Sequence, residues 1–223
     1  MLVDVDVGLR RCGVPPGEKA VRLAKAVLAN GLRFRGLMGY EGPVLRMPPG
    51  PEKDSAAAAA MSSVMRTQAC LERDGIPVEI VSVGGTGTYS ISGQYPGVTE
   101  IQAGSYLLMD TDYAKCCADF SVALTVLATV ISKTAGERIV ADAGLKELSC
   151  ERGVPTVKDV PGVAIRRLTA EHCIIDLQDP SAPVEVGDKI EIWAHYSDAT
   201  VNLHDRIYGI RDGFVEEVFR VEG

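Results

Sequence analysis

Near residue 119 the chain changes its grammar, and that change constrains the fold more than any single motif. Before it, runs of strand length alternate with segments of helical period. The first run, Leu2-Val3-Asp4-Val5-Asp6-Val7, predicts a strand, and residues 17–30 then set Ala20, Leu23, Ala24, Val27 and Leu28 on one helical face. A second strand is expected over 32–37, ending at Gly39-Tyr40-Glu41-Gly42. Pro48-Pro49-Gly50-Pro51 then breaks the chain ahead of a helix over about 52–73, where Pro51 suits a first-turn position and the alanine run 56–60 favours helix. Two more strands, 78–83 and 98–101, follow. Strand, helix, strand, helix, strand is the pattern of a parallel α/β layer. After 119 come short β-like runs at 122–131, 138–142, 164–168, 173–177, 189–193 and 208–221, separated by Gly, Pro and Asp turns and with no amphipathic helix between them. The expected organisation is an α/β domain over 1–118 and a β-rich domain over 119–223.

Strands three and four of the first half each run into a glycine-bearing turn. Val78 to Val83 leads into Gly84-Gly85-Thr86-Gly87-Thr88-Tyr89, and Val98 to Ile101 leads into Gln102-Ala103-Gly104-Ser105-Tyr106. Glycine lets backbone N–H groups approach an anion closely, and a neighbouring hydroxyl adds a donor. A single turn of this kind is usually just a turn. Two in succession, both carrying Ser or Thr and Tyr, point to a phosphate cradle built from adjacent strand ends.

Composition narrows the partners. The 223 residues suffice for one large domain or two small ones, and 23 basic against 30 acidic residues leave a formal charge of −7. The basic residues are scattered, with Arg10-Arg11 and Arg166-Arg167 as isolated pairs, so no nucleic-acid surface is expected. Neither a signal peptide nor a membrane span is expected: acids follow Met1 at once, and the apolar stretch 122–131 is short and holds Thr125 and Thr129. The six cysteines form no C-x-x-C pair, and reduced thiols in a cytoplasmic protein are the expectation.

These blocks together resemble the D-threonine aldolase and D-serine dehydratase family of pyridoxal-phosphate (PLP) enzymes, which share the alanine racemase fold. The resemblance rests on Val5-Asp6-Val7-Gly8-Leu9-Arg10-Arg11-Cys12-Gly13-Val14, on Gly36-Leu37-Met38-Gly39-Tyr40-Glu41-Gly42, and on both glycine turns with Met109-Asp110 and Tyr113. It continues through Asp142-Ala143-Gly144-Leu145-Lys146, Ala170-Glu171-His172 and His195-Tyr196-Ser197-Asp198-Ala199-Thr200-Val201-Asn202. It implies the C-terminal half of a (β/α)8 PLP-binding barrel followed by a β-rich domain, in an enzyme that normally acts as a homodimer. It also implies that the first barrel strands and the Schiff-base lysine of the family lie upstream of Met1, since none of the eight lysines stands in that context. Lys146 matches a different family lysine.

The resemblance assigns roles residue by residue. Gly85, Thr86, Gly104 and Ser105 are expected to hold the PLP phosphate, with Tyr40 and Gln102 lining the cofactor pocket or simply packing at a barrel rim. Arg11 is expected to contact the PLP oxygen or the substrate carboxylate, although an arginine after a strand also suits a surface ion pair. His195 and Asp198 are the expected ligands of a divalent ion (Mn, Zn or Mg). Relatives place the second ligand two residues after the histidine, where this chain has Ser197; matching on Thr200-Val201-Asn202 instead puts Asp198 opposite that acid.

The implied activity is PLP- and metal-dependent cleavage of a D-3-hydroxy amino acid to glycine and an aldehyde, with His195 and Arg11 as catalytic candidates. Dehydration of D-serine or D-3-hydroxyaspartate is the alternative within the family. A catalytically inactive fragment and an amino-acid racemase on the same fold are the readings outside it, the latter needing a tyrosine opposite PLP.

Overall fold

The computed structural model describes residues 1–134 and 136–222, which form two compact units. One comprises residues 1–106 with 115–118; the other comprises 107–114 with 119–223. The expected boundary at 118/119 thus has a stretch on its N-terminal side, 107–114, that packs with the second unit.

The first unit is a four-stranded parallel sheet of β1 (Leu2–Asp4), β2 (Gly36–Gly39), β3 (Ile80–Val83) and β4 (Glu100–Ile101), paired in chain order. Parallel neighbours need crossovers, and α1 (Glu18–Ala29) and α3 (Pro51–Arg73) supply them. Pro51 opens α3 with Glu52 and Asp54 in its first turn and Arg73 in its last, as the helix dipole favours. Its buried stripe Ala57, Ala60, Met61, Val64, Thr67 and Leu71 repeats at three and four residues. On α1 the buried face is Ala20, Val21, Ala24 and Val27, while Leu23 and Leu28 are 40% and 46% exposed. Ala20, Ala24 and Val27 of the expected face are thus buried, with Val21 in place of Leu23 and Leu28. Two short helices, α2 (Gly42–Leu45) and α4 (Tyr89–Ser92), follow the ends of β2 and β3.

The second unit carries a six-stranded antiparallel sheet. Its strands are β5 (Thr125–Thr134), β6 (Arg138–Ala141), β7 (Thr156–Val157), β8 (Val163–Leu168), β9 (Cys173–Leu177) and β10 (Lys189–Trp193), in the order β7-β10-β5-β6-β9-β8. Val130, Ile139, Ile175 and Ile192 are fully buried in its core. Burying side chains of this size stabilises the fold by about 1.5–3 kcal/mol each. A one-turn helix, α5 (Ser197–Val201), follows β10, where no helix was expected. The run expected over 208–221 is a hairpin of β11 (Arg206–Arg211) and β12 (Phe214–Arg220). Asp212 and Gly213 both take positive φ, 51° and 80°, which is the two-residue turn that matches strand twist. Among the described residues no helix is long and apolar enough to cross a membrane, and all six cysteines are free thiols.

Candidate functional site

In the first unit, the segments that follow β2 and β3 meet at a carboxylate that sequence reasoning passed over. Glu41 is fully buried, and it accepts from the Gly84 N–H (3.0 Å), the Thr88 hydroxyl (2.8 Å) and the Ser92 hydroxyl (2.6 Å). Three donors are what a buried acid needs to offset its lost hydration. Glu41 thereby shapes the glycine turn after β3 and consumes one of its N–H groups. A second is consumed locally, since Gly85 N–H donates to Thr88 Oγ1 at 3.3 Å. Gly85, expected to hold phosphate, uses that donor inside the turn.

What remains open is Thr86 and the turn after β4. Tyr106 N–H donates to Thr86 Oγ1 (3.1 Å), joining the two turns and leaving the Thr86 hydroxyl proton to be given elsewhere. Thr86 is 2% exposed, and its backbone N–H meets no acceptor among the described residues. The N–H groups of Gly104 and Ser105 likewise meet none, and a Cβ added at Gly104 would touch nothing within 4 Å. Of the three, only Thr86 is buried, and a buried N–H is rarely left without a partner; Gly104 is exposed and Ser105 half-buried. Open N–H groups and a hydroxyl donor on two joined turns fit an anionic oxygen cluster such as a phosphate.

The same turn is braced from behind. A Cβ on Gly87 would lie 2.0 Å from the Leu45 carbonyl oxygen, so backbone passes backbone at a distance no other residue permits. That carbonyl also accepts from Lys53 Nζ (3.3 Å), a buried ammonium that donates to the Cys116 carbonyl as well (3.2 Å). Gln102 lies at the rim with its side-chain amide donating to the Ser82 carbonyl (3.1 Å). It ties β4 to β3.

Arg11 is exposed, and its guanidinium stands over the Tyr40 ring, 5.4 Å from the centroid. Both line a cleft of about 10 Å³ with Asp4, Asp6 and Cys12. Asp6 fixes the turn that delivers Arg11. Its Oδ1 accepts from the Arg10 and Gly8 N–H groups, and these bonds hold its carboxyl below the usual range.

In the second unit His195 follows β10 and is 9% exposed. Its Nδ1 is bonded to Thr111 Oγ1 (2.7 Å), and its Nε2 lies 4.0 Å from Asp112 Oδ1. A second buried acid organises this region: Asp110 Oδ1 accepts from the Asp112 and Tyr113 N–H groups (3.1 and 2.7 Å), while Oδ2 accepts from the N–H and hydroxyl of Ser197 (2.9 and 3.2 Å). Ser197 is therefore turned inward. Asp198, the expected second ligand, is exposed on the first turn of α5, and no hydrogen bond or ion pair joins it to His195. Among the described residues no three His, Cys, Asp or Glu side chains form a metal cage. His172 is exposed, whereas His204 Nε2 is bonded to the Glu147 carbonyl oxygen at 2.9 Å. Lys146 is exposed and paired with Glu171, which pushes its ammonium above the usual range and away from nucleophilic use.

Comparison with known proteins gives two family matches. Residues 1–112 match the alanine racemase N-terminal domain, and residues 123–210 match the putative serine dehydratase domain. The chain is 34% identical to the D-threonine aldolase of an Arthrobacter species and 33% identical to the 3-hydroxy-D-aspartate aldolase of Paracoccus denitrificans, over 99% of its own length in each case. It spans 60% and 59% of those proteins. The crystal structure of D-threonine aldolase from Filomicrobium marinum superposes with a TM-score of 0.94 at 38% identity, covering 98% of this chain and 61% of that one.

Proposed function

We propose, from the premise that this chain belongs to the D-threonine aldolase and D-serine dehydratase family of PLP enzymes with the alanine racemase fold, that it carries the phosphate-binding and metal-binding residues of a lyase acting on D-3-hydroxy amino acids. Cleavage to glycine and an aldehyde is the favoured reaction, in line with the aldolases it is similar to. The observation that carries the reading is the set of open donors at Thr86, Gly104 and Ser105 on two turns joined by the Tyr106 to Thr86 bond.

Bound there, PLP supplies an electron sink for the charge left at Cα when a bond to it breaks. The chain's own residues do the rest. The Thr86 hydroxyl and the free N–H groups hold the phosphate dianion, a contact that positions without reacting. Arg11, steadied on the Tyr40 ring and by the Asp6 turn, offers a fixed cation to a carboxylate or to the ring oxygen of the cofactor. The His195 tautomer with its proton on Nδ1, toward Thr111 Oγ1, leaves the Nε2 lone pair to take the substrate hydroxyl proton or to bind a divalent ion. Such an ion, held there, would supply charge stabilisation to the substrate oxygen.

The test is product analysis with the native protein, PLP and Mn²⁺. Glycine and acetaldehyde are expected from D-threonine or D-allothreonine, with the L isomers untouched. Ammonia with a 2-oxo acid would replace the aldolase by the dehydratase reaction, and racemised alanine with neither product would overturn both. Assembly as a homodimer belongs to the same proposal, and sedimentation of the native protein measures it.

A further inference from the structure

We infer that Lys53 is the fixed positive charge behind the phosphate turns, a positioning residue that favours a dianion there through the Leu45 backbone without touching it. The inference rests on the reading of Thr86, Gly104 and Ser105 as the phosphate site, and every residue it uses lies in the first unit. Lys53 is 3% exposed. A buried ammonium is costly unless an anion or a full set of acceptors offsets its lost hydration. Here the Leu45 and Cys116 carbonyls accept from Nζ (3.3 and 3.2 Å), and among the described residues no acid forms an ion pair with it. One of its three N–H donors therefore meets no acceptor there. Glu41, the buried acid nearby in sequence, is spent on Gly84, Thr88 and Ser92. Glu52 and Asp54 flank Lys53 in the chain but are exposed.

Its place on α3 adds a second cost. Position 53 lies in the first turn of a 23-residue helix, at the end where the aligned peptide dipoles favour anions and disfavour cations. Burial, the lack of a counter-ion and the wrong end of a helix all oppose a lysine at this position, and a bound anion close by offsets all three. The Leu45 carbonyl shows where that anion is received. It accepts from Lys53 Nζ and lies 2.0 Å from where a Cβ on Gly87 would stand, so the ammonium is one carbonyl removed from the turn that carries Thr86. A Cβ on Gly85 would meet Leu45 Cδ2 at 2.3 Å, so the same residue backs that turn at two points. A buried charge is poorly screened, and its attraction grows in proportion to the charge of the ligand. Lys53 thus makes the site prefer a phosphate dianion over a monoanion of the same shape.

Binding of PLP and of pyridoxal 5′-sulfate, a monoanion with the same ring and a tetrahedral head, tests this by calorimetry and absorbance on the native protein at about pH 8, where the phosphate is a dianion. The parent is expected to bind PLP about tenfold more tightly than the sulfate. Lys53→Gln keeps an N–H donor and removes the charge. It is expected to lose about tenfold for PLP and about threefold for the sulfate, because halving the ligand charge halves the loss on a logarithmic scale. Lys53→Arg, which keeps the charge, is expected to stay within about threefold of the parent for both, with circular dichroism reporting the fold of each variant. Equal losses for the two ligands in Lys53→Gln mean that the turn is merely distorted and overturn the inference. If Lys53→Gln fails to fold, the parent decides: preference for the dianion supports the inference, and equal binding of the two ligands overturns it. Thr86→Val keeps the two claims apart. PLP weakened in Thr86→Val but not in Lys53→Gln overturns the inference and leaves the phosphate reading intact, whereas PLP weakened in neither overturns both.

Discussion

Each unit is organised around a buried acid, but the two acids do different work. Glu41 collects Gly84, Thr88 and Ser92, three donors from one continuous strand end and its following turn. Asp110 collects Asp112 and Tyr113 on one side and Ser197 on the other, bridging segments 87 positions apart. Glu41 thus reaches 43 to 51 positions along the chain to brace a single glycine turn from outside, whereas Asp110 ties its own turn to a segment 87 positions away.

The sharpest way to break that comparison is to remove each acid. Asp110→Ala leaves the Ser197 N–H and hydroxyl and two further N–H groups without their acceptor, and a loss on the order of 3 kcal/mol is expected, together with loss of Mn²⁺ binding. Glu41→Ala is expected to cost about 2 kcal/mol and to weaken PLP binding while sparing Mn²⁺. Urea unfolding and the two binding assays, run on both variants, check this. Equal damage to both ligands in both variants would show that the two acids do not support separate sites.

A smaller effect separates the units by pH. Cys173 lies at zero exposure in β9, and burial, with a lesser contribution from Cys150, pushes its thiol up to about 12 from an ordinary 9.0. A raised pKa favours the folded state in full below the unfolded value and loses that contribution as pH rises from about 9 towards 12. The second unit is thus expected to lose about 1 kcal/mol between pH 9 and pH 10. Cys173→Ala should flatten that slope without altering PLP binding, as denaturant midpoints at the two pH values would show. An unchanged slope would mean that the thiol is not the cause.

The sequence was most readable where period and punctuation agree. β9 and β10 fall on the expected residues 173–177 and 189–193, because alternating apolar positions there are bounded by turn formers. The face of α1 was less readable. Apolar residues at 20, 21, 23, 24, 27 and 28 span more than one stripe, and packing, not period, chose Val21 over Leu23 and Leu28. The run 208–221 was read as one strand, although Asp212-Gly213 within it is a dipeptide suited to the two positive φ angles of a hairpin turn. At the site, the N–H groups of Thr86, Gly104 and Ser105 meet no acceptor among the described residues, whereas that of Gly85 is taken by Thr88. Nothing in Glu41, Asp110 or Asp112 announces burial or a distant partner, since an acid in a loop looks the same whether solvated or enclosed. Asp198 was favoured for its charge and spacing, and the first turn of α5 directs it to solvent.

The central claim is that phosphate is held by Thr86 and its neighbours in one unit and the divalent ion by His195 in the other. Measuring PLP and Mn²⁺ affinity in Thr86→Val and His195→Ala tests it most directly. A crossed result is expected: Thr86→Val loses about tenfold in PLP affinity, about 1.4 kcal/mol, with Mn²⁺ unchanged, and His195→Ala loses Mn²⁺ with PLP unchanged. Thr86→Val binding PLP as tightly as the parent, or His195→Ala weakening PLP and Mn²⁺ alike, would contradict it.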